Sequence, residues 1–124
     1  MLEIRKAQME TLGNHMAQRF EEWAIAHVRR YFRASCRELG DDGTREMVQY
    51  GIERAEAHGF TAESDIGKYL DVMFTFGRDF DNDPALPWAR RILEDPSVGS
   101  AEARINALCD EAVARQETDR RNAP

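Results

Sequence analysis

Apolar residues recur at three- and four-residue steps through most of the chain, the spacing of one face of an α-helix. No stretch alternates with the period of two that a half-buried strand needs. The first series runs Met9, Leu12, Met16, Phe20, Trp23, His27 or Val28, Tyr31, Phe32, Cys36 and Leu39. It predicts one long amphipathic helix that starts as early as Leu2, is weakened at Gly13-Asn14, and stops where Leu39 meets Gly40. Glycine takes the left-handed cap conformation there without steric cost. Asp41-Asp42-Gly43 reads as a turn.

A second helix, with Thr44 or Asp42 as N-cap, buries Met47, Val48, Gly51, Ile52 and Ala55 and ends with His58 before Gly59. A mid-helix glycine costs about 1 kcal/mol relative to alanine, so Gly51 marks close approach by another helix. Thr61 caps a third, whose apolar face carries Ile66, Tyr69, Leu70, Met73, Phe74 and Gly77. Pro87 suits the first turn of a short fourth helix with Trp88, Ile92 and Leu93 inward, closed by Asp95-Pro96. Ser97 or Ser100 opens a fifth, with Glu102 in its first turn and Ile105, Leu108, Ala112 and Val113 inward. The fold class is all-α, a single-domain bundle of about five helices with one long N-terminal helix. It covers residues 1–117, and a polar tail over 118–124 is expected to fray.

Charge and composition narrow the function. At 124 residues the chain has the size of one domain. A net charge of −6 and a pI near 5.1 are a poor start for binding a phosphate backbone, so nucleic acid is not an expected partner. The N-terminus lacks a leader-like apolar run, and no segment approaches the roughly 20 apolar residues of a membrane helix, which places the protein in the cytoplasm. Cys36 and Cys109 lack CxxC spacing and read as small packed thiols.

The stretch that looks most like chemistry is Gly77 to Trp88, GRDFDNDPALPW, with carboxylates at Asp79, Asp81 and Asp83. A calcium loop of the EF-hand kind needs glycine at its sixth position and a bidentate glutamate at its twelfth. Counted from Asp79, those positions are Pro84 and Arg90. Proline cannot take the positive φ, and arginine sets a positive charge beside the cation, so the full site is refuted. The alternative is a rigid corner whose Asp and Asn side chains bond the local backbone and whose Phe80, Leu86 and Trp88 pin it to the core. Its crowded carboxylates could meet arginines of a partner or of the chain itself.

Other constellations are weaker. Arg29, Arg33 and Arg37 stand at four-residue spacing with Arg30 beside them, and read as a helix edge that pairs with the acid-rich Asp41–Asp95 stretch. His15, His27 and His58 show no metal spacing and no catalytic neighbour. His27 is expected on the long helix's apolar side and His58 at a helix C-terminus, where a cationic imidazole is favoured. No glycine-rich phosphate cradle occurs. No catalytic residue, metal ligand or cofactor is assigned. Phe20, Trp23, Tyr31, Trp88 and the Met9/Met16 pair exceed what a small domain easily hides, and aromatics bordered by arginine have the composition of an interface hot spot. The candidate partner-binding residues are therefore Phe20, Trp23, Tyr31, Asp79, Asp81 and Trp88.

The run from Tyr50 to Pro96 contains YGI, a helix ending in FG, then DFD, a proline pair with PWA, and IL. In that order it resembles small helical bacterial proteins of type VI secretion gene clusters, found beside spike-tip (PAAR) proteins, toxins and their loading chaperones. The resemblance covers about two-fifths of the chain. It implies a non-catalytic accessory factor, a co-chaperone or adaptor that binds an effector or its loading chaperone before export. One alternative is an immunity protein that masks a toxin. Others are a small metal-binding or hydrolytic enzyme using Asp79, Asp81 and Asp83, and nucleic-acid binding through Arg29, Arg30, Arg33 and Arg37. A homodimer through the long helix is left open.

Overall fold

The computed structural model describes the backbone of residues 2–122 and the side chains of residues 17–121. The side chains of Met9, Leu12, His15 and Met16, named above, lie outside the described residues. The fold is all-α. Helices α1 (Leu2–Tyr31), α2 (Arg33–Ala57), α3 (Glu63–Phe76), α4 (Pro87–Glu94) and α5 (Ala101–Asn122) are joined by loops that hold two 3-10 turns, Phe80–Asn82 and Pro96–Val98. Among the described residues there is no strand.

α1 passes through Gly13-Asn14 and ends at Tyr31. At Phe32 the helical bonding continues across the break: its N–H donates to the Val28 carbonyl at 2.7 Å, and its own carbonyl accepts from Cys36 N–H at 3.0 Å. Gly40 then kinks α2 with φ 75° and ψ 176°. This differs from the expected left-handed cap, because the extended ψ lies in a region essentially reserved for glycine. The helix resumes at once, so Asp41–Gly43 are helical and not a free turn. Thr44 is no N-cap either. It is buried, and its hydroxyl reaches back to the Cys36 carbonyl at 3.4 Å.

The chain divides into two compact units, Met1–Gln49 and Tyr50–Pro124. In the first, α1 and the part of α2 beyond Gly40 run antiparallel. Arg29 bonds Asp41 at 2.9 Å, Arg45 meets Glu21 at 3.2 Å, and Gln49 donates to the same Glu21 at 2.7 Å. These exposed pairs fix register and contribute little energy. The apolar face buries Phe20, Ala24, Ile25, Val28 and Val48.

In the second unit α3 and α4 both pack on α5, around Phe60, Tyr69, Leu70, Met73, Phe80, Ile105 and Leu108. Gly51 has the close neighbours that its place in the pattern implies. A Cβ there would lie 2.4 Å from Leu70 Cδ2 and 2.6 Å from Met73 Cε. The caps follow the sequence in part. Pro87 opens α4, and Ser100 Oγ accepts from Ala103 N–H at 3.2 Å at the head of α5. Asp95 accepts from Ser97 N–H at 2.9 Å to start the second 3-10 turn.

Thr61 does not cap α3. The N-cap is Ala62 without a side-chain bond, and Glu63 and Asp65 supply the negative charge that the helix dipole favours in its first turn. Gly77 leaves the buried face to end α3 at φ 121°. Val113, expected inward, is exposed. The buried arc of α5 is narrower than its apolar pattern, covering Ile105, Leu108 and Ala112. Arg104 ties two segment ends together, donating to the carbonyls of His58 and Leu93 at 3.0 Å each.

Candidate functional site

The corner between α3 and α4 is built around a buried carboxylate. Asp81 sits in the 3-10 turn that follows α3 and is only 3% exposed. Its Oδ2 accepts from Arg54 Nε at 3.0 Å and from the Tyr69 hydroxyl at 3.1 Å, and it lies 2.8 Å from His58 Nε2. Arg54 and His58 meet it from one side because they are four residues apart at the end of α2, on one helix face. Tyr69 comes from the buried face of α3, its ring 5.1 Å from Phe80. The other oxygen, Oδ1, is buried without a hydrogen-bond donor among the described residues.

Electrostatics match this geometry. Burial by itself would raise the Asp81 carboxyl, but the bonds from His58 and Arg54 outweigh it and hold the group below the usual carboxylate range. Burial, then the neighbouring Asp81 charge, push the Tyr69 hydroxyl well above its ordinary value, so it serves as a fixed donor. Asp81 in turn raises Arg54. A carboxylate kept ionised by three donors is a poor proton acceptor and a good anchor.

The three carboxylates of the DFDND stretch do not converge. Asp79 accepts from the Tyr50 hydroxyl, whose ring is covered by Arg78 at 3.9 Å. Asp83 turns back to the Ala85 N–H at 2.9 Å, a local turn of the kind the sequence suggests. Among the described residues no three His, Cys, Asp or Glu side chains are grouped to hold a metal ion. Asp81 therefore needs correction as a contact residue. It is spent inside the chain, on an arginine four residues past Tyr50. Trp88 also faces inward at 6% exposure, edge-on to Phe76 at 5.2 Å. Phe80 is buried with it, and Leu86 is half-buried.

On α1 the outcome is different. Trp23 is 51% exposed and Tyr31 62% exposed, whereas Phe20 is buried. The rings form a continuous row: Phe20 to Trp23 at 5.7 Å, Trp23 stacked on His27 at 5.0 Å, and His27 to Tyr31 at 4.9 Å. Arg30 places its guanidinium 5.5 Å from the Tyr31 ring. His27 thus lies half-buried in an aromatic row and not within the apolar core. Only Arg29 of the helix-edge arginines has a carboxylate partner among the described residues, Asp41.

Arg54, His58 and Tyr69 were not singled out as a group by sequence. The signal was there in part: an arginine and a histidine at i and i+4 just before an acid-rich segment. What joins them to Asp81 is the path of the chain through α3. His58 meets a carboxylate, and the expected helix C-terminus is instead served by Arg104. No protein-family model matches the chain, and neither a curated protein nor a solved structure shows significant similarity to it. No helix among the described residues is long and apolar enough to cross a membrane.

Proposed function

We propose that this protein is a non-catalytic protein-binding accessory factor, and that the aromatic row of α1 is its contact surface. One observation carries the reading: the two largest rings of that row, Trp23 and Tyr31, are more than half exposed, Trp23 stacked on His27 and Tyr31 tilted against it. Exposing a tryptophan and a tyrosine on one helix stripe leaves apolar area in water that a docked chain would remove. Interlocked rings also lose little freedom on docking, which lowers the entropic cost of binding.

The resemblance of Tyr50–Pro96 to small proteins of type VI secretion clusters gives the proposal its form, a co-chaperone or adaptor for an exported effector in the cytoplasm. The buried Asp81 anchor accords with a structural use of that segment, since its most distinctive residues hold the corner together.

A photo-reactive phenylalanine analogue placed at position 23, and in parallel at the exposed position 117, tests the reading in the native host. The expected result is a discrete protein adduct from position 23 that position 117 does not give. Equal labelling from both positions would remove the contact surface from α1. Protection of cells from a toxin that forms the adduct would convert the adaptor into an immunity protein.

A further inference from the structure

The charges beside the aromatic row indicate what it binds. Trp23, Arg30 and Arg37 are spaced by seven residues, which sets them on one helix face, and the bonds through Phe32 carry that spacing from α1 into α2. Arg33 flanks them. Arg30, Arg33 and Arg37 are exposed and have no carboxylate partner among the described residues, in contrast to Arg29, which Asp41 neutralises. Two exposed carboxylates border the face: Glu22, which Arg45 approaches at 3.7 Å, and Glu38. The imbalance is local. Residues 1–49 hold eight basic and eight acidic side chains, so the net charge of −6 belongs wholly to residues 50–124.

We infer that the α1 row receives an acidic amphipathic segment of another protein, whose apolar anchors cover Trp23 and Tyr31 while its carboxylates pair with Arg30, Arg33 and Arg37. This rests on the proposed binding function and adds the partner's chemistry. Arginine suits the task because its planar guanidinium binds a carboxylate through two parallel bonds while lying on a ring, as Arg30 already does over Tyr31. Nucleic acid fits less well. A phosphate backbone carries a charge at every nucleotide and calls for a wider basic excess than residues 1–49 offer with eight basic and eight acidic side chains, whereas three arginines match the few carboxylates of one segment.

The test uses the full chain and four probes, read by the emission of Trp23 and by sedimentation. The first probe is a synthetic helical peptide with leucine and phenylalanine anchors at heptad spacing and glutamates beside them. The second is its lysine-for-glutamate counterpart. The third is polyglutamate, and the fourth is a single-stranded oligonucleotide.

The expected result is saturable binding of the first probe alone, weakened about tenfold between roughly 50 and 300 mM salt. Trp23→Ala should abolish it. Arg30→Glu with Arg37→Glu should transfer the preference to the lysine peptide, an outcome that loss of folding cannot produce. Equal binding of both peptides, or tighter binding of the oligonucleotide, would overturn the inference. So would a dimer of this chain that Trp23→Ala dissolves. An adduct from position 23 that maps to a segment poor in acidic residues would defeat this inference while leaving the binding function intact.

Discussion

The carboxylate of Asp81 lies 2.8 Å from the imidazole of His58, with Arg54 and Tyr69 bonded to the same oxygen. Donors from α2, from the turn just past it and from α3 thereby converge on one atom of a short turn. This fixes where the chain reverses between α3 and α4, and so where Phe80 and Trp88 enter the core. The arrangement accounts for why a stretch with the look of a metal loop serves as a corner.

Replacing Asp81 by Asn removes the charge and keeps the shape. Breaking a buried ion pair by changing one partner costs about 3–5 kcal/mol. Because the Arg54 side chain is 38% exposed, water recovers part of that loss, and we expect about 2–3 kcal/mol from urea unfolding. The difference should depend on pH. The Asp81 carboxyl is held below its ordinary value in the folded protein, so its contribution is complete above the unfolded-state value of about 3.9 and is lost as pH falls through the lower folded value. The gap between the two proteins should be constant above about pH 5 and shrink below about pH 4. A gap that instead widens in acid would mean the carboxyl is not stabilised by its donors.

The two tryptophans have opposite surroundings, Trp23 exposed and Trp88 buried against Phe76. Iodide should therefore quench one component of the emission readily and the other hardly at all. Trp23→Phe should delete the quenchable, red-shifted component. Trp88→Phe should delete the protected one and lower stability by about 1–3 kcal/mol through the cavity it leaves. Equal quenching of the two single-tryptophan proteins would contradict the placement of the α1 row.

Gly51 and Gly40 are required for different reasons, and alanine separates them. At Gly51 the added methyl would overlap Leu70 and Met73, both wholly buried. Overpacking of about 1–3 kcal/mol outweighs the roughly 1 kcal/mol that alanine returns to a helix. A net loss of about 1 kcal/mol is expected for Gly51→Ala in thermal unfolding. At Gly40 nothing among the described residues lies within 4 Å of the new methyl beyond its own chain neighbours, but the backbone is at φ 75°. Gly40→Ala should lose about 1–3 kcal/mol through strain alone. A stabilised Gly40→Ala would show that the kink relaxes into continuous helix.

Periodicity was enough to read the helical class, the glycine break after Leu39, the proline start of α4 and the serine cap of α5. Each of these depends on residues within one or two turns of each other, and local sterics and backbone bonding act over that distance. It also located Gly51 as a point of close approach, since a costly residue kept in a helix interior implies a neighbour that excludes a side chain. Exposure was not legible in the same way. Phe20 and Trp23 lie three residues apart on one stripe, yet one is buried and the other half in water, because a helix's apolar arc is covered only as widely as what packs on it. Nor could the pattern distinguish Asp79, which accepts from the distant Tyr50 at the surface, and Asp83, which bonds its own turn, from Asp81, which is buried. Only the folding of α3 brings Tyr69, twelve residues away, and Arg54, twenty-seven residues away, to the same oxygen, and a buried charge is tolerated only where such distant donors arrive together.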